Sequence, residues 1–510
     1  MEIMQATSIH ELFDLRLQSG PDRVFLHTLG GALTFADLGP WVDQLELELR
    51  TLEVRPGDRV FAVAENCPEH VALILACSRV NAWACSINAR MAAGEVDTFA
   101  RKADARVAYF TVGISSDAAT HGRRHGCQPS VLPGLSRSPV RLDAQSEPSP
   151  LAEQVAAIIF TSGTTGAPKG VPVTHKGLLH YAKAATECRH MTPADRSHAY
   201  LPMTHIFGLG AMLMASLYAG SSLVMRSRFD PADVFDALAH HGISILQGPP
   251  AMFSRLMSWL DEQGLRHPAC PDLRYVYSGA APLDLTLKRV IEARLGQPVY
   301  HGYGMSEYAG GATMVRYGQP RDDSSSGNLL EGAELRLVGP DGNDAGQGEQ
   351  GEIWLRGVGL MPGYFRDAQA TAEVMRPGGW YASGDIGMQT PDGALFVVGR
   401  QKEMIIRSGF NVYPGEIETV MLRHPSVRNA AVIGHRQPDG NEEILAFVET
   451  MGNLPLDNQS LALHLRSHLA PYKRPGRIMK VDALPMTSSG KVLKRALLEM
   501  LVDTSHERPT

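Results

Sequence analysis

The densest concentration of chemistry in this sequence is the run Thr161-Ser162-Gly163-Thr164-Thr165-Gly166-Ala167-Pro168-Lys169-Gly170, directly behind the apolar stretch QVAAIIF. Glycines let backbone N–H groups approach an oxyanion with no Cβ in the way, hydroxyls add donors, and a lysine adds positive charge. That composition suits phosphate. The spacing is not the Walker A pattern, in which Gly and Lys are adjacent and Ser or Thr follows. Here two residues separate Gly166 from Lys169. A flexible polar turn is the plain alternative, and it leaves such a run behind a buried strand unexplained.

The elements that must position this loop are legible in the apolar pattern. From about residue 55 to 300, strand-like runs (DRVFAVAEN, RVAYFT, QVAAIIFT, SSLVM, ISILQG, LRYVYSG, PVYHGYG) alternate with helix-like ones such as EHVALILACSRV, DPADVFDALAHHG and PLDLTLKRVIEARL. Strands separated by helices predict βαβ units and a mainly parallel sheet covered on both faces. Residues 113 to 152, rich in Ser, Pro, Gly and Arg, read as an irregular surface excursion. After about residue 325 the strands are joined by Gly/Asp-rich turns, as in GAELRLVG-PDGNDAGQGEQ-GEIWLRG. Beyond Arg400 the remainder reads as a compact α+β unit. The expected domains are residues 1–400 and 401–510.

A chain of 510 residues exceeds what one core usually supports, and its 44% hydrophobic and 20% charged residues are ordinary for a globular protein. A net charge of −6 offers no electrostatic footprint for nucleic acid. Six scattered cysteines show no CxxC spacing, which suits reduced thiols and a cytoplasmic location. The first residues lack a signal-peptide layout, and no apolar run is long enough to span a bilayer. The histidines show no HExxH or comparable zinc spacing.

Further motifs follow the glycine loop in a fixed order: Tyr303-Gly304-Met305-Ser306-Glu307, then Trp380-Tyr381-Ala382-Ser383-Gly384-Asp385, then Gly399-Arg400-Gln401-Lys402-Glu403, then Pro485-Met486-Thr487-Ser488-Ser489-Gly490-Lys491 with Arg495. This ordered set, from residue 161 to 495, resembles the adenylate-forming superfamily, which includes acyl-CoA synthetases, peptide-synthetase adenylation domains and beetle luciferases. The resemblance implies an α/β fold: a large N-terminal domain of βαβ-rich subdomains plus a small distorted β-barrel, with a mobile C-terminal α+β domain.

It also implies a two-step reaction. A carboxylate attacks the α-phosphate of ATP, giving an acyl-adenylate and pyrophosphate; the thiol of CoA then attacks the acyl carbon and expels AMP. Two anions must meet, which calls for a cation in a dry site. Lys491 is that cation by resemblance, although a lysine in a Ser/Gly turn reads in isolation as a solvated surface residue. Glu307 is the implied ligand for Mg²⁺, a hard cation preferring oxygen, with Thr164 adding a hydroxyl. A carboxylate facing a helix N-terminus is the other reading of Glu307. Thr161, Ser162, Gly163, Thr164, Thr165, Gly166 and Lys169 would cradle the phosphates, and Ser306 would donate to the α-phosphate. Tyr303 would stack on adenine, with Gly304, Met305 and the small residues Gly279, Ala280 and Ala281 alongside. Asp385 suits a ribose diol, because a carboxylate accepts from two neighbouring hydroxyls. Arg400 would hold the ribose or a phosphate. Lys402 marks the hinge about which the small domain would rotate, presenting first Lys491 and then the Ser408-Gly409-Phe410 segment. The run Gly357 to Gly363 is not a dinucleotide fingerprint, since its last interval is one residue too long; it matches a family segment whose Tyr364 ends a structural loop.

Pro202-Met203-Thr204-His205-Ile206-Phe207-Gly208 resembles the segment lining the acyl pocket. Amino-acid-activating relatives carry Asp at the His205 position, so α-amino acids are disfavoured; His205 is expected to gate the pocket, the alternative being a satisfied core histidine. The expected wall is apolar with small residues, and no arginine is evident in the sequence to catch a second carboxylate. The expected substrate is a hydrophobic monocarboxylic acid, aryl or medium- to long-chain aliphatic, activated with ATP and Mg²⁺ and passed to CoA by a monomer or homodimer. Transfer to a separate carrier protein is the alternative within the class, and a non-catalytic nucleotide-binding regulator the alternative outside it.

Overall fold

The computed structural model describes residues 5–161, 168–407, 410–437, 442–450, 456–486 and 492–504. Among these, the apolar runs of the first 300 residues form two large sheets. One is seven-stranded, in the order Gln128–Pro129, Ser136–Arg137, Val107–Phe110, Arg59–Ala64, Trp83–Asn88, Val155–Thr161 and Lys169–Thr174. Its central pairs are parallel. Every residue of Arg59–Ala64 and Trp83–Asn88 is buried, which is why these strands read as continuous rather than alternating apolar runs. The second is nine-stranded: Asn328–Leu329, Gly310–Met314, Val299–Met305, Tyr275–Ser278, Ile245–Gly248, Arg196–Ala199, Ser222–Met225, Val24–Thr28 and Gly31–Thr34. Its interior is parallel and both its edges are antiparallel. Helices such as Pro68–Arg79 and His175–Cys188 bury most of their residues against these sheets.

The third sheet is antiparallel, with Ala333–Val338, Gly351–Gly357, Trp380–Gln389 and Met375–Arg376 in order and Leu395–Arg400 added to the long strand Trp380–Gln389. A separate α+β unit follows. Its hairpin Val427–Arg436 with Glu442–Thr450 and the parallel strand Arg477–Lys480 carry the helices Pro414–Leu422, Asn458–His468 and Lys494–Thr504. No helix among the described residues is long and apolar enough to cross a membrane.

The stretch 113–152 has more order than its composition suggests. Ser115 caps the helix Ser116–Arg124 through the Ala118 N–H, and two short strands join the seven-stranded sheet. The buried carboxylate of Glu48 anchors the segment, accepting from Ser130 Oγ at 2.6 Å, Tyr109 Oη at 2.9 Å and Arg137 Nε at 3.0 Å. These bonds join residues more than sixty positions apart, so hydrophobic periodicity carries no trace of them.

Candidate active site

The glycine-rich loop joins two antiparallel strands. Val155–Thr161 and Lys169–Thr174 pair with Thr161 opposite Lys169, so both flanks of the loop are fixed by one ladder. A Walker A loop opens a helix instead, which is a second difference beyond spacing. Ser162, Gly163, Thr164, Thr165 and Gly166 lie outside the described residues. On the far flank, Lys169 Nζ sits 4.6 Å from the centroid of the Tyr364 ring, and Phe365 N donates to Gly170 O at 2.9 Å.

The segment 361–365 ties this hairpin to Glu307. Glu307 lies in a single 3₁₀ turn, Ser306–Tyr308, at the tip of the antiparallel pair Val299–Met305 and Gly310–Met314. Met361 N donates to Glu307 O at 2.9 Å, and Tyr364 Oη donates to Glu307 Oε1 at 3.1 Å. The Tyr381 hydroxyl lies 3.4 Å from that of Tyr364. Burial and then the neighbouring Glu307 charge push the Tyr364 phenol up, so it stays a donor at neutral pH. A carboxylate oriented by one phenol keeps its remaining lone pairs for a hard cation, so the donor set fits Mg²⁺. Gly304 is packed so tightly that a Cβ there would collide with Gly310 O, which explains the small residue beside Ser306 and Glu307.

Asp385 and Arg400 face each other across the ladder of Trp380–Gln389 and Leu395–Arg400. Arg400 Nε donates to Asp385 Oδ1 at 2.7 Å, while Tyr303 Oη donates to Asp385 Oδ2 at 2.7 Å. The carboxylate is thus buried and gripped at both oxygens, and each oxygen retains a lone pair for one hydroxyl of a diol. The Asp385 charge raises the Arg400 guanidinium above its usual range, and burial drives the Tyr303 phenol far upward. The expected stacking residue Tyr303 therefore also has a polar duty, holding Asp385 through its hydroxyl. Nearby, Gly279 and Ala280 follow the strand Tyr275–Ser278; Ala280 takes φ +67°, a conformation that a non-glycine residue holds only under tertiary constraint. His301 lies within 3.3 Å of Ala281 O.

His205 precedes a run of wide π-type turns, Phe207–Met214. Such turns are uncommon and cluster at functional sites. Phe207 N donates to His205 Nδ1 at 3.2 Å, which makes Nδ1 an acceptor. His205 is half-buried and lines a cavity of about 10 Å³ with Leu201, Pro202, Phe207, Gly208 and Ala280. That is room for about one water.

Lys402 is exposed, in the 3₁₀ turn Gln401–Glu403 that follows Arg400. Gly409 and Lys491 lie outside the described residues, and Phe410 is described only as the start of the strand Phe410–Val412. Just beyond the lysine motif, Lys494 Nζ lies between Glu403 Oε2 at 2.7 Å and Glu418 Oε1 at 3.1 Å. Burial opposes its charge, and the two carboxylates outweigh burial and raise its pKa. Tyr364 and Tyr381, beside Glu307, are candidate-site residues to which the sequence pattern assigns no chemistry. Tyr364 was legible only as the end of a structural loop, because its partners Lys169 and Glu307 are distant in the chain.

Comparison with known proteins agrees with this architecture. The model for AMP-binding enzymes matches residues 13–365, and that for the AMP-binding enzyme C-terminal domain matches residues 416–491. A feruloyl-CoA synthase of Amycolatopsis sp is 32% identical over 485 residues, covering 94% of this chain and 96% of the relative. A 4-coumarate–CoA ligase of Oryza sativa subsp. japonica is 30% identical over 509 residues, covering 94% and 89%. Among solved structures, ATP-bound MatB from Rhodopseudomonas palustris superposes with a TM-score of 0.83 at 27% identity, covering 98% of this chain and 99% of that one.

Proposed function

This chain belongs to the AMP-binding enzyme family, as an acyl-CoA synthetase of the adenylate-forming superfamily, and from that premise we propose how its site works and which acids it takes. It is an ATP-dependent, AMP-forming acid–CoA ligase that proceeds through an acyl-adenylate. ATP, Mg²⁺ and CoA are its small-molecule requirements.

In our reading the hairpin loop Thr161 to Lys169 holds the phosphates and Asp385 accepts from the ribose hydroxyls. Arg400 and Tyr303 prevent Asp385 from turning away. The observation that carries this is the double grip on Asp385, since a carboxylate so held is a rigid acceptor pair. Glu307 with Thr164 would hold Mg²⁺, whose charge offsets that of the phosphates. Lys491 would bring its ammonium between the acid's carboxylate and the α-phosphate, lowering their repulsion as the new bond forms. Residues 401–510 would then swivel as a unit at Lys402, whose exposed turn tolerates backbone change, and expose the adenylate to the CoA thiol.

The proposed acid is hydrophobic, with its reacting carboxylate near His205. An imidazole at His205 cannot supply the negative charge that would balance an α-ammonium, and Phe207, Leu209 and Met212 supply an apolar wall. Two of the relatives are named for aryl acids, which favours an aryl substrate over an aliphatic one. The six cysteines are unpaired, which suits the cytoplasm, and the groups assigned here all come from one chain, so a monomer or homodimer suffices.

The test is product analysis with ATP, Mg²⁺, CoA and a panel of aryl, alkyl and amino acids. Acyl-CoA, AMP and pyrophosphate should appear together, fastest with aryl acids. Faster turnover of α-amino acids or acetate would overturn the acid assignment. AMP formed only with an added carrier protein would overturn CoA as acceptor.

A further inference from the structure

We propose that Arg189 is the polar end of the acyl pocket, and that the preferred acid carries a carbonyl or carboxylate oxygen at the end remote from its reacting carboxylate. This rests on the reading that a hydrophobic acid occupies the pocket beyond His205 and Phe207.

Arg189 caps the helix His175–Cys188 and is wholly buried. Its Nη1 donates to Ala211 O at 2.8 Å, whereas its Nε and Nη2 make no well-formed hydrogen bond, the Tyr181 phenol being a polar neighbour of the guanidinium. No carboxylate pairs with it among the described residues. Gln247 is its neighbour: its Nε2 reaches the same Ala211 O at 3.4 Å, and its Oε1 likewise lacks a partner. Buried polar groups are normally satisfied, and a buried cation without a counter-charge costs several kcal/mol. A fixed core has no reason to retain such a group, whereas a site that a substrate oxygen completes does.

The surroundings point to the acyl pocket. The guanidinium lies 5.0 Å from the centroid of the Tyr277 ring. Around that ring, Tyr275 stacks at 6.3 Å between centroids, a Cβ on Gly279 or Gly302 would collide with it, and Phe207, which lines the cavity beside His205, meets it edge-on at 5.9 Å. Tyr181 is packed in the same way by Gly210, Gly310 and Gly311. One aromatic ring therefore separates an under-satisfied guanidinium from the glycines that give the pocket its depth. Nε and Nη2 form the edge of a planar fork, a geometry that receives one carbonyl oxygen or both oxygens of a carboxylate. A long acid reaching past Gly302 would meet these donors, and an apolar acid of the same shape would leave them unpaired.

The test uses the full chain and three cinnamic acids matched in shape, with 4-isopropyl, 4-acetyl and 4-carboxy substituents, scored by kcat/KM for pyrophosphate release. At least one oxygen-bearing acid should exceed the isopropyl acid by about tenfold. The acetyl and carboxy arms separate a neutral from an anionic acceptor. In Arg189→Met the ratio should fall towards one, and in Arg189→Lys, which keeps the charge but not the fork, it should lie between, so that either variant alone decides if the other fails to fold. A wild-type ratio near one, or a ratio that survives loss of the guanidinium, overturns the inference while leaving the acid–CoA ligase intact. Pyrophosphate release with none of the three, but with short polar acids, overturns the hydrophobic-acid reading and this inference with it.

Discussion

The Tyr364 hydroxyl donates to Glu307 Oε1 at 3.1 Å while the face of the same ring receives Lys169 Nζ at 4.6 Å. One side chain thus couples the flank of the glycine loop to the carboxylate assigned to Mg²⁺. Groups that orient a metal ligand commonly matter about tenfold or more to metal affinity. Tyr364→Phe keeps the ring under Lys169 and removes only the hydroxyl. We expect the Mg²⁺ concentration for half-maximal pyrophosphate release to rise about tenfold, with KM for the acid little changed. An unshifted Mg²⁺ titration would remove this role from Tyr364.

Asp385 offers a sharper case, because both of its oxygens already accept charged or phenolic donors. Asp385→Asn preserves the shape and discards the charge facing Arg400. KM for ATP should rise roughly thirtyfold, about 2 kcal/mol, as expected for a charge-assisted contact. Initial-rate kinetics at saturating acid measure this, and an ATP KM within twofold of wild type would contradict the ribose assignment.

Lys491 and Lys402 are proposed for different half-reactions, and two variants test that division. Lys491→Ala should lower carboxylate-dependent ATP–pyrophosphate exchange by about a hundredfold or more while ATP binding persists. Lys402→Pro, in the exposed turn after Arg400, should slow thioester formation more than adenylation. Equal losses in both steps would count against rotation at this residue.

Two buried imidazoles set a pH dependence of stability. Burial holds His70 and His175 down at about 4, against an ordinary value near 6.5. The unfolded chain binds these protons more readily, so stability is full above pH 6.5 and is lost as pH falls towards 4. Each residue contributes a loss of about 3 kcal/mol at the acid end. Thermal melts should show Tm falling between pH 7 and pH 5, less steeply in His70→Gln; identical slopes would show that His70 takes up its proton equally in the folded and the unfolded chain.

The apolar strands, the order of the motifs and the acid–CoA ligase chemistry were all legible in the chain, because backbone pattern and motif spacing are local properties. The stretch 113–152 was not, since its order depends on Glu48, a carboxylate from a distant helix. The contacts of Tyr364 were not legible for a similar reason. Its residue type suits a loop end, and its two partners are brought to it by hairpins elsewhere in the fold.

By itself the sequence determined the reaction class and named the groups proposed for it: a loop suited to phosphate, carboxylates proposed for a metal and a ribose, and lysines proposed for the acid and the hinge. Only the tertiary structure decided how those groups are held. It set Asp385 opposite Arg400 across a ladder, put a phenol between Lys169 and Glu307, and left Arg189 deep among tyrosines with two donors unspent. Residue types define which bonds are possible; sheet register and burial select the few that form, because both join positions the chain keeps far apart.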